Sequence, residues 1–304
     1  MISKSVIDAL ENYVNSGCVH IQESMAAHTT FKVGGPVDCL VEIENPEQLK
    51  KVQKYLRQVE IPYFVVGNGS NLLVSDKGYR GVVLRIGRKM NRVMVIGDQI
   101  RAEAGALLSQ VAKVAYENGL TGMEFASGIP GTVGGAVVMN AGAYDGDMSQ
   151  IVTKVTVLSN ENEILELEKS SMEFGYRTSA IRNHSFIVTE VIFHLQRGDK
   201  ETIKKRMDEL AIKRREKQPL EYPSAGSTFK RPEGHFAGKL IMDAGLAGYQ
   251  VGGARVSEKH CGFVINTGNA TAGDIMQLIK DVQERVKSQF HVDLEPEIVF
   301  LGEF

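Results

Sequence analysis

Two clusters of small residues in this chain carry the chemistry of an anion cradle. The first is Gly67, Asn68, Gly69, Ser70 and Asn71, directly after the apolar run of residues 61–66. Glycine takes positive φ and lets backbone N–H groups come close to an anion, while Asn and Ser add side-chain donors. The pattern is not a dinucleotide fingerprint, because Leu72 stands near the third glycine's place and strand follows instead of helix. Nor is it a Walker A loop, which needs Gly-Lys followed by Ser or Thr. Taken by itself the segment serves as a phosphate cradle or as a glycine-rich turn. The second cluster is Gly128, Ile129, Pro130, Gly131, Thr132, Val133, Gly134 and Gly135, continued by Ala136, Met139, Asn140, Ala141, Gly142 and Ala143. A purely structural loop with so many glycines is entropically expensive, so the stretch points to close approach of a flat or phosphorylated ligand. Two such loops, about 60 residues apart, point together to a dinucleotide.

The elements that must hold these loops read as α+β with mixed sheets. Val6, Ile7, Leu10 and Val14 recur at helical spacing. Alternation marks 37–43 as a strand, Pro46 opens a helix bearing Leu49, Val52 and Leu56, and 61–66 reads as a buried strand. Further strands are expected at 72–74, 82–86, 92–96, 100–104, 151–158, 163–167 and 186–195, with a helix through Leu107, Leu108, Val111 and Ala115. A charged helix at 199–216 carries Ile203, Met207 and Leu210 on one face. Residues 219–232 are rich in Pro, Gly and Ser and must be loop. Thr271 and Asp274 make a capping-box pattern before Ile275, Leu278, Ile279, Val282 and Val286, and 292–300 reads as a final strand.

Composition narrows the function classes. At 304 residues the chain is long for one compact domain, and 43% hydrophobic with 24% charged residues is enough to bury a sizeable core. A net charge of −2 gives no sign of nucleic acid or an anionic membrane surface as partner. Cys18, Cys39 and Cys261 are far apart and odd in number, which fits a reducing, cytoplasmic setting. No secretory leader, membrane-length apolar run or metal-ligand spacing is visible.

Further motifs make a family resemblance. Thr30-Phe31-Lys32-Val33-Gly34-Gly35-Pro36, the two glycine loops, Phe174-Gly175-Tyr176-Arg177-Thr178-Ser179, Ala225-Gly226-Ser227-Thr228-Phe229-Lys230-Arg231-Pro232 and Leu294-Glu295-Pro296-Glu297 follow one another along nearly the whole chain. The glycine loops resemble FAD-binding domains of the vanillyl-alcohol-oxidase (PCMH) type. The full set resembles the UDP-N-acetylenolpyruvoylglucosamine reductases, in a shorter form without an inserted tyrosine segment. The resemblance implies an FAD-binding fold in two subdomains (1–80 and 81–198) and a C-terminal α+β substrate domain (199–304), with the active site at a domain interface. It implies non-covalent FAD at Gly67, Asn68, Gly69, Ser70, Asn71, Gly128, Ile129, Thr132, Gly134, Gly135 and Asn140. NADPH is the implied reductant and the enolpyruvyl ether of UDP-N-acetylglucosamine the implied substrate, in a cytoplasmic monomer making a peptidoglycan precursor.

Hydride addition to the enolpyruvyl methylene pushes charge into the neighbouring carboxylate, and a proton must then reach the other carbon. The resemblance gives the stabilising roles to Arg177 and Glu297 and the proton to Ser227. A planar, permanently charged guanidinium suits a carboxylate. Glu297 fits only as a hydrogen-bond donor, hence protonated or sharing a proton in the complex. Ser227 needs a nearby cation, and Lys230 and Lys239 are the candidates. The resemblance also implies substrate contacts from Tyr176, Lys217, Lys230, Lys239 and Lys259. Arg255, Ser257 and His260 lie in the same stretch, where His260 reads as a substrate contact or as a structural residue. The run Lys213, Arg214, Arg215 and Lys217 otherwise reads as a solvated face complementing a helix C-terminus. Two other readings stand beside this one: a flavin oxidase of a small alcohol on the same scaffold, and a nucleotide-binding protein without activity.

Overall fold

The computed structural model describes residues 2–304. Contacts divide the chain into two compact units, each assembled from separate stretches. The first takes residues up to 21, 39–68 and 81–213, and the second takes 22–38, 69–80 and 214–304. The expected third region, 199–304, overlaps most of the second unit. Residues 22–38 and 69–80 pack with the C-terminal stretch.

A four-stranded sheet, most of whose residues belong to the first unit, has the order Val19–Ser24, Pro36–Ile43, Tyr79–Ile86, Tyr63–Val66. Alternation is not what marks Pro36–Ile43: Val37, Asp38, Cys39, Leu40 and Val41 are all buried, as in a strand covered on both faces. The helix Pro46–Gln58 starts as expected, with Asn45 Oδ1 accepting from Gln48 N at 2.9 Å, and it buries Leu49, Val52 and Leu56. Tyr63–Val66 pairs in parallel with Val82 to Arg85. Parallel neighbours need a crossover, and the crossover here is the stretch that carries the first glycine loop and the strand Leu72–Val74. A five-stranded antiparallel sheet completes the unit, in the order Ile164–Glu168, Val152–Leu158, Ile187–His194, Gln99–Glu103, Val93–Ile96. The helix Leu108–Glu117 buries Leu108, Val111 and Ala115 in the same core.

The second unit packs around the helix Ala272–Phe290. Its capping box is formed as read from sequence, with Thr271 Oγ1 accepting from Asp274 N at 3.0 Å and Asp274 Oδ2 accepting from Thr271 N at 2.9 Å. Asp76 adds a second cap, its carboxylate oxygens accepting from Ala272 N and Gly273 N at 2.8 Å each. Ile275, Leu278, Ile279, Val282 and Val286 face a small sheet in the order Gln250–Val251, Ala254–Val256, Val264–Asn266 and the helix Ala237–Asp243. The expected final strand shrinks to Val299–Leu301, which pairs in parallel with Leu72–Val74. Pro296 has no N–H to continue a ladder, and the residues before it pair irregularly with 228–230.

Candidate active site

The strand Tyr63–Val66 delivers the first glycine loop, and its opening residues meet the second loop at once. A Cβ on Gly67 would stand 2.2 Å from Thr132 Oγ1. Asn68 Nδ2 donates to Pro130 O at 2.6 Å. Thr132 is the N-cap of the helix Val133–Val138, its hydroxyl accepting from Gly135 N at 3.5 Å. Behind it, Val133 N donates to Ala106 O and Gly134 N to Ala104 O, both at 2.8 Å. A Cβ on Gly134 would come within 3.0 Å of the Ala104 Cβ. These glycines are demanded by close approach as much as by turning. Gly128 and Gly135 remain exposed, while Ile129 packs against the core of the unit.

From Gly69 onward the loop belongs to the second unit. Gly69 has φ +60, and a Cβ there would lie 2.0 Å from His28 O. Thr30 N donates to Gly69 O at 3.1 Å, so the motif that begins at Thr30 packs directly on the loop. Ser70 is half-buried. Asn71 turns the other way, donating from Nδ2 to Glu297 O at 3.1 Å. His28 Nε2 lies 2.8 Å from Glu23 Oε1, while its buried Nδ1 has no partner among the described residues. A polar atom buried without a partner calls for an explanation. Beside a loop that forbids side chains, it fits a ligand rich in hydroxyl and phosphate groups, and on that ground the cradle suits FAD.

Arg177 sits in the first unit at the tip of a tight hairpin. Gly175 N donates to Thr178 O at 3.1 Å, leaving Tyr176 and Arg177 as the turn. Arg177 has φ +55, a left-handed conformation that costs an ordinary residue free energy. Its Nη2 donates to Gly142 O at 3.3 Å, and its guanidinium carbon lies 5.1 Å from the Tyr176 ring centre. Tyr176 is 56% exposed. Asn140, expected at the cofactor, is buried at 6% exposure. Its Nδ2 donates to Gly175 O at 3.1 Å and its Oδ1 accepts from Ser149 N at 2.9 Å.

Ser227 and Glu297 come together in the second unit through backbone. Ser227 bridges Phe263 and Phe229 bridges Pro296, both antiparallel. Thr228 N donates to Gly262 O, and Glu297 N donates to Thr228 O, each at 2.8 Å. Segment 227–229 therefore lies between 262–264 and 296–297. Ser227 is exposed and Glu297 half-buried. The cations expected to assist Ser227 are engaged elsewhere: Lys230 Nζ pairs with Glu295, and Lys239 Nζ lies 2.8 Å from Asp243 on a helix surface, 65% exposed.

Lys259 Nζ lies 3.8 Å from Glu221 Oε2, and the charge of Lys217 acts on His260. Arg255 lies over Tyr222, 5.6 Å from the ring centre. His260 is held by its chain neighbours. Its Nδ1 accepts from Gly262 N at 3.1 Å and its ring meets Phe263 edge-on. Burial holds its imidazole below the ordinary range, and the charge on Lys217 acts in the same direction. The folded chain thus binds this proton more weakly than the unfolded chain. Stability is greatest above the ordinary value of 6.5 and declines as pH falls through it toward the lowered folded value. The urea midpoint is expected to drop between about pH 7.5 and about pH 5.5, and His260→Gln to flatten that drop. An unchanged pH dependence in the variant would clear His260 of the effect.

Sequence reading missed Asp76, His28 and Asn266. Asn266 Nδ2 donates to Phe31 O at 3.0 Å, and no local pattern announces a partner so distant in the chain. Among the described residues no His, Cys, Asp or Glu cluster could hold a metal, and no helix is long and apolar enough to cross a membrane.

Residues 37–168 match the FAD binding domain family and residues 218–301 match the family described as UDP-N-acetylenolpyruvoylglucosamine reductase, C-terminal domain. The chain is 53% identical over 302 residues to the UDP-N-acetylenolpyruvoylglucosamine reductase of Caldanaerobacter subterraneus, covering 99% of this chain and 100% of that one. To the Clostridium tetani enzyme of the same name it is 52% identical, covering 99% and 97%. Among solved structures it resembles the UDP-N-acetylenolpyruvylglucosamine reductase of Thermus caldophilus, with TM-score 0.81 and 36% identity over 93% of this chain and 100% of that one. Alkyldihydroxyacetonephosphate synthase shares the fold alone, with TM-score 0.52 and 14% identity over 65% of this chain and 41% of that one.

Proposed function

The chain belongs to the UDP-N-acetylenolpyruvoylglucosamine reductase family, and from that premise we propose that it reduces the enolpyruvyl ether of UDP-N-acetylglucosamine to UDP-N-acetylmuramate, with NADPH as hydride source. It is an FAD-dependent oxidoreductase with an FAD-binding fold of the vanillyl-alcohol-oxidase type. The proposal includes a place in peptidoglycan precursor synthesis for a cytoplasmic monomer. It also retains the division of labour in which residues 1–198 hold the flavin and 199–304 serve the substrate.

The observation that carries the reading is the full-length similarity to reductases of this name, together with an arginine on a strained hairpin and Ser227 and Glu297 joined through Thr228. FAD, when bound, takes up a hydride and gives it to the substrate. Gly67, Asn68, Gly69, Ser70, Gly128, Thr132, Gly134 and Gly135 are the residues we assign to holding it. Arg177 fixes the substrate carboxylate and takes up the charge that hydride addition sends into it. Glu297, carrying a proton, donates a hydrogen bond to the same developing charge. Ser227 delivers the proton to the carbon next to the carboxylate. Tyr176, Lys217, Lys230, Lys239 and Lys259 are kept as substrate contacts, with Lys230 and Lys239 having to leave their carboxylate partners to serve.

Steady-state assay with NADPH and the enolpyruvyl substrate tests the proposal. Turnover accompanied by a bound flavin spectrum is expected. Oxidation of a simple alcohol without turnover of the enolpyruvyl ether would replace it with the oxidase reading. Failure to bind added FAD would contradict the family assignment itself.

A further inference from the structure

The second glycine loop does more than end: residues 138–142 reach across to the hairpin that carries Arg177. Ser179 Oγ donates to Val138 O at 3.0 Å, Asn140 Nδ2 to Gly175 O at 3.1 Å, and Arg177 Nη2 to Gly142 O at 3.3 Å. Both segments hold left-handed residues, within them or just beyond them. Asn140 has φ 41 and Tyr144 φ 58 on one side, and Glu173 has φ 46 and Arg177 φ 55 on the other. Left-handed conformations at non-glycine residues persist only where the surroundings over-determine them, and they gather at functional sites. Asn140 is the central tie. It is buried, its amide donates to the base of the hairpin, and its carbonyl accepts from Ser149 N at 2.9 Å, so both ends of one short side chain are held by backbone.

We infer that Asn140 is a positioning residue: it holds the Arg177 hairpin in register with the glycine loop and so aims the guanidinium at the substrate carboxylate. This rests on the role proposed above for Arg177. Asparagine suits the position because it tolerates positive φ better than other side chains that carry both a donor and an acceptor. An aspartate would keep the acceptor for Ser149 N and the tolerance of positive φ, but it would set a carboxylate oxygen against the Gly175 carbonyl. A glycine would keep the backbone conformation and lose both side-chain bonds.

The test is a double-mutant cycle with Arg177→Ala, reading flavin reoxidation by the enolpyruvyl substrate in the FAD-loaded enzyme, the Kd of FAD, and the Kd of UDP-N-acetylglucosamine, which lacks the carboxylate. Asn140→Asp and Asn140→Gly are both used, so that a buried carboxylate that spoils folding does not decide the result. Expected in either variant is a loss of about tenfold or more in reoxidation rate or in affinity for the enolpyruvyl substrate. Affinity for FAD and for UDP-N-acetylglucosamine is expected to change by less than about twofold. In the Arg177→Ala background the same substitutions should then cost almost nothing further. The same loss in both backgrounds would overturn the inference, since Asn140 would then act independently of Arg177. Loss of FAD in both Asn140 variants would make Asn140 a cofactor contact and equally overturn it. If Arg177→Ala itself left reoxidation unchanged, the role given to Arg177 would fail, and the inference with it. That outcome is distinct from an Arg177 effect that Asn140 does not share.

Discussion

Ser227→Ala is expected to leave reduction of the flavin by NADPH intact and to slow its reoxidation by the enolpyruvyl substrate by about 10²- to 10⁴-fold, the usual contribution of a positioned acid. The substitution is clean in this fold. Ser227 meets Phe263 through a backbone bridge, and its neighbour Thr228 supplies the hydrogen bonds that hold the segment to 262 and 297. Removing one exposed hydroxyl leaves that lattice in place. Stopped-flow measurement of flavin absorbance in each half-reaction separates the outcomes. Equal slowing of both half-reactions would contradict a proton-donor role and indicate a disturbed cofactor site. Glu297→Gln adds a second arm, because the amide keeps a hydrogen-bond donor where a protonated carboxyl is proposed. A variant faster than Glu297→Ala is expected on that reading. A serine needs a nearby cation to release its proton. Lys230 and Lys239 are paired with Glu295 and Asp243, so either a lysine exchanges partners when substrate arrives or another charge serves Ser227.

Much of this was legible in the sequence for identifiable physical reasons. The capping box at Thr271 and Asp274 involves neighbours in the chain, and local patterns of that kind announce themselves. The helix Pro46–Gln58 is marked by Pro46 and three apolar residues on one face, though not by the cap that Asn45 supplies. The glycine loops were visible as composition, but not the reason for each glycine. Gly67 is demanded by Thr132 and Gly69 by His28, and those partners depend on the fold rather than on spacing. Asp76 escaped for the same cause: it caps a helix that begins almost two hundred residues later. The glycine-rich run around Asn140 is visible in the sequence, but its buried bonds to Gly175 and Ser149 depend on the fold. Burial on both faces of Pro36–Ile43 could not be told from alternation, since Asp38 broke the apolar run that would have signalled it.

Gly67→Ala is expected to weaken FAD binding by about 5- to 150-fold, the equivalent of about 1–3 kcal/mol of overpacking. The new methyl carbon would lie 2.2 Å from Thr132 Oγ1, and the nearest other atoms, Thr132 Cβ and Cγ2, are 3.3 Å away. One oxygen atom therefore creates nearly all of the clash. Gly67 does not share the positive φ of Gly69, so alanine is conformationally allowed at 67 and strain in its own backbone is not the cause. The chain can relieve the contact by separating the two glycine loops or by turning the Thr132 hydroxyl away from its cap position. That separation would also stretch the bond from Asn68 Nδ2 to Pro130 O. Thr132→Ala removes the oxygen at the cost of a helix cap, about 1 kcal/mol on its own. In combination the two changes should be less harmful than their sum: the double variant is expected to bind FAD more tightly than Gly67→Ala alone, as measured by titration of the apoprotein. If the double variant binds FAD no better, the need for glycine at 67 comes from the ligand pressing on the loop rather than from Thr132. The two loops would then be independent walls of the cradle, and not the single packed surface that their mutual contacts describe.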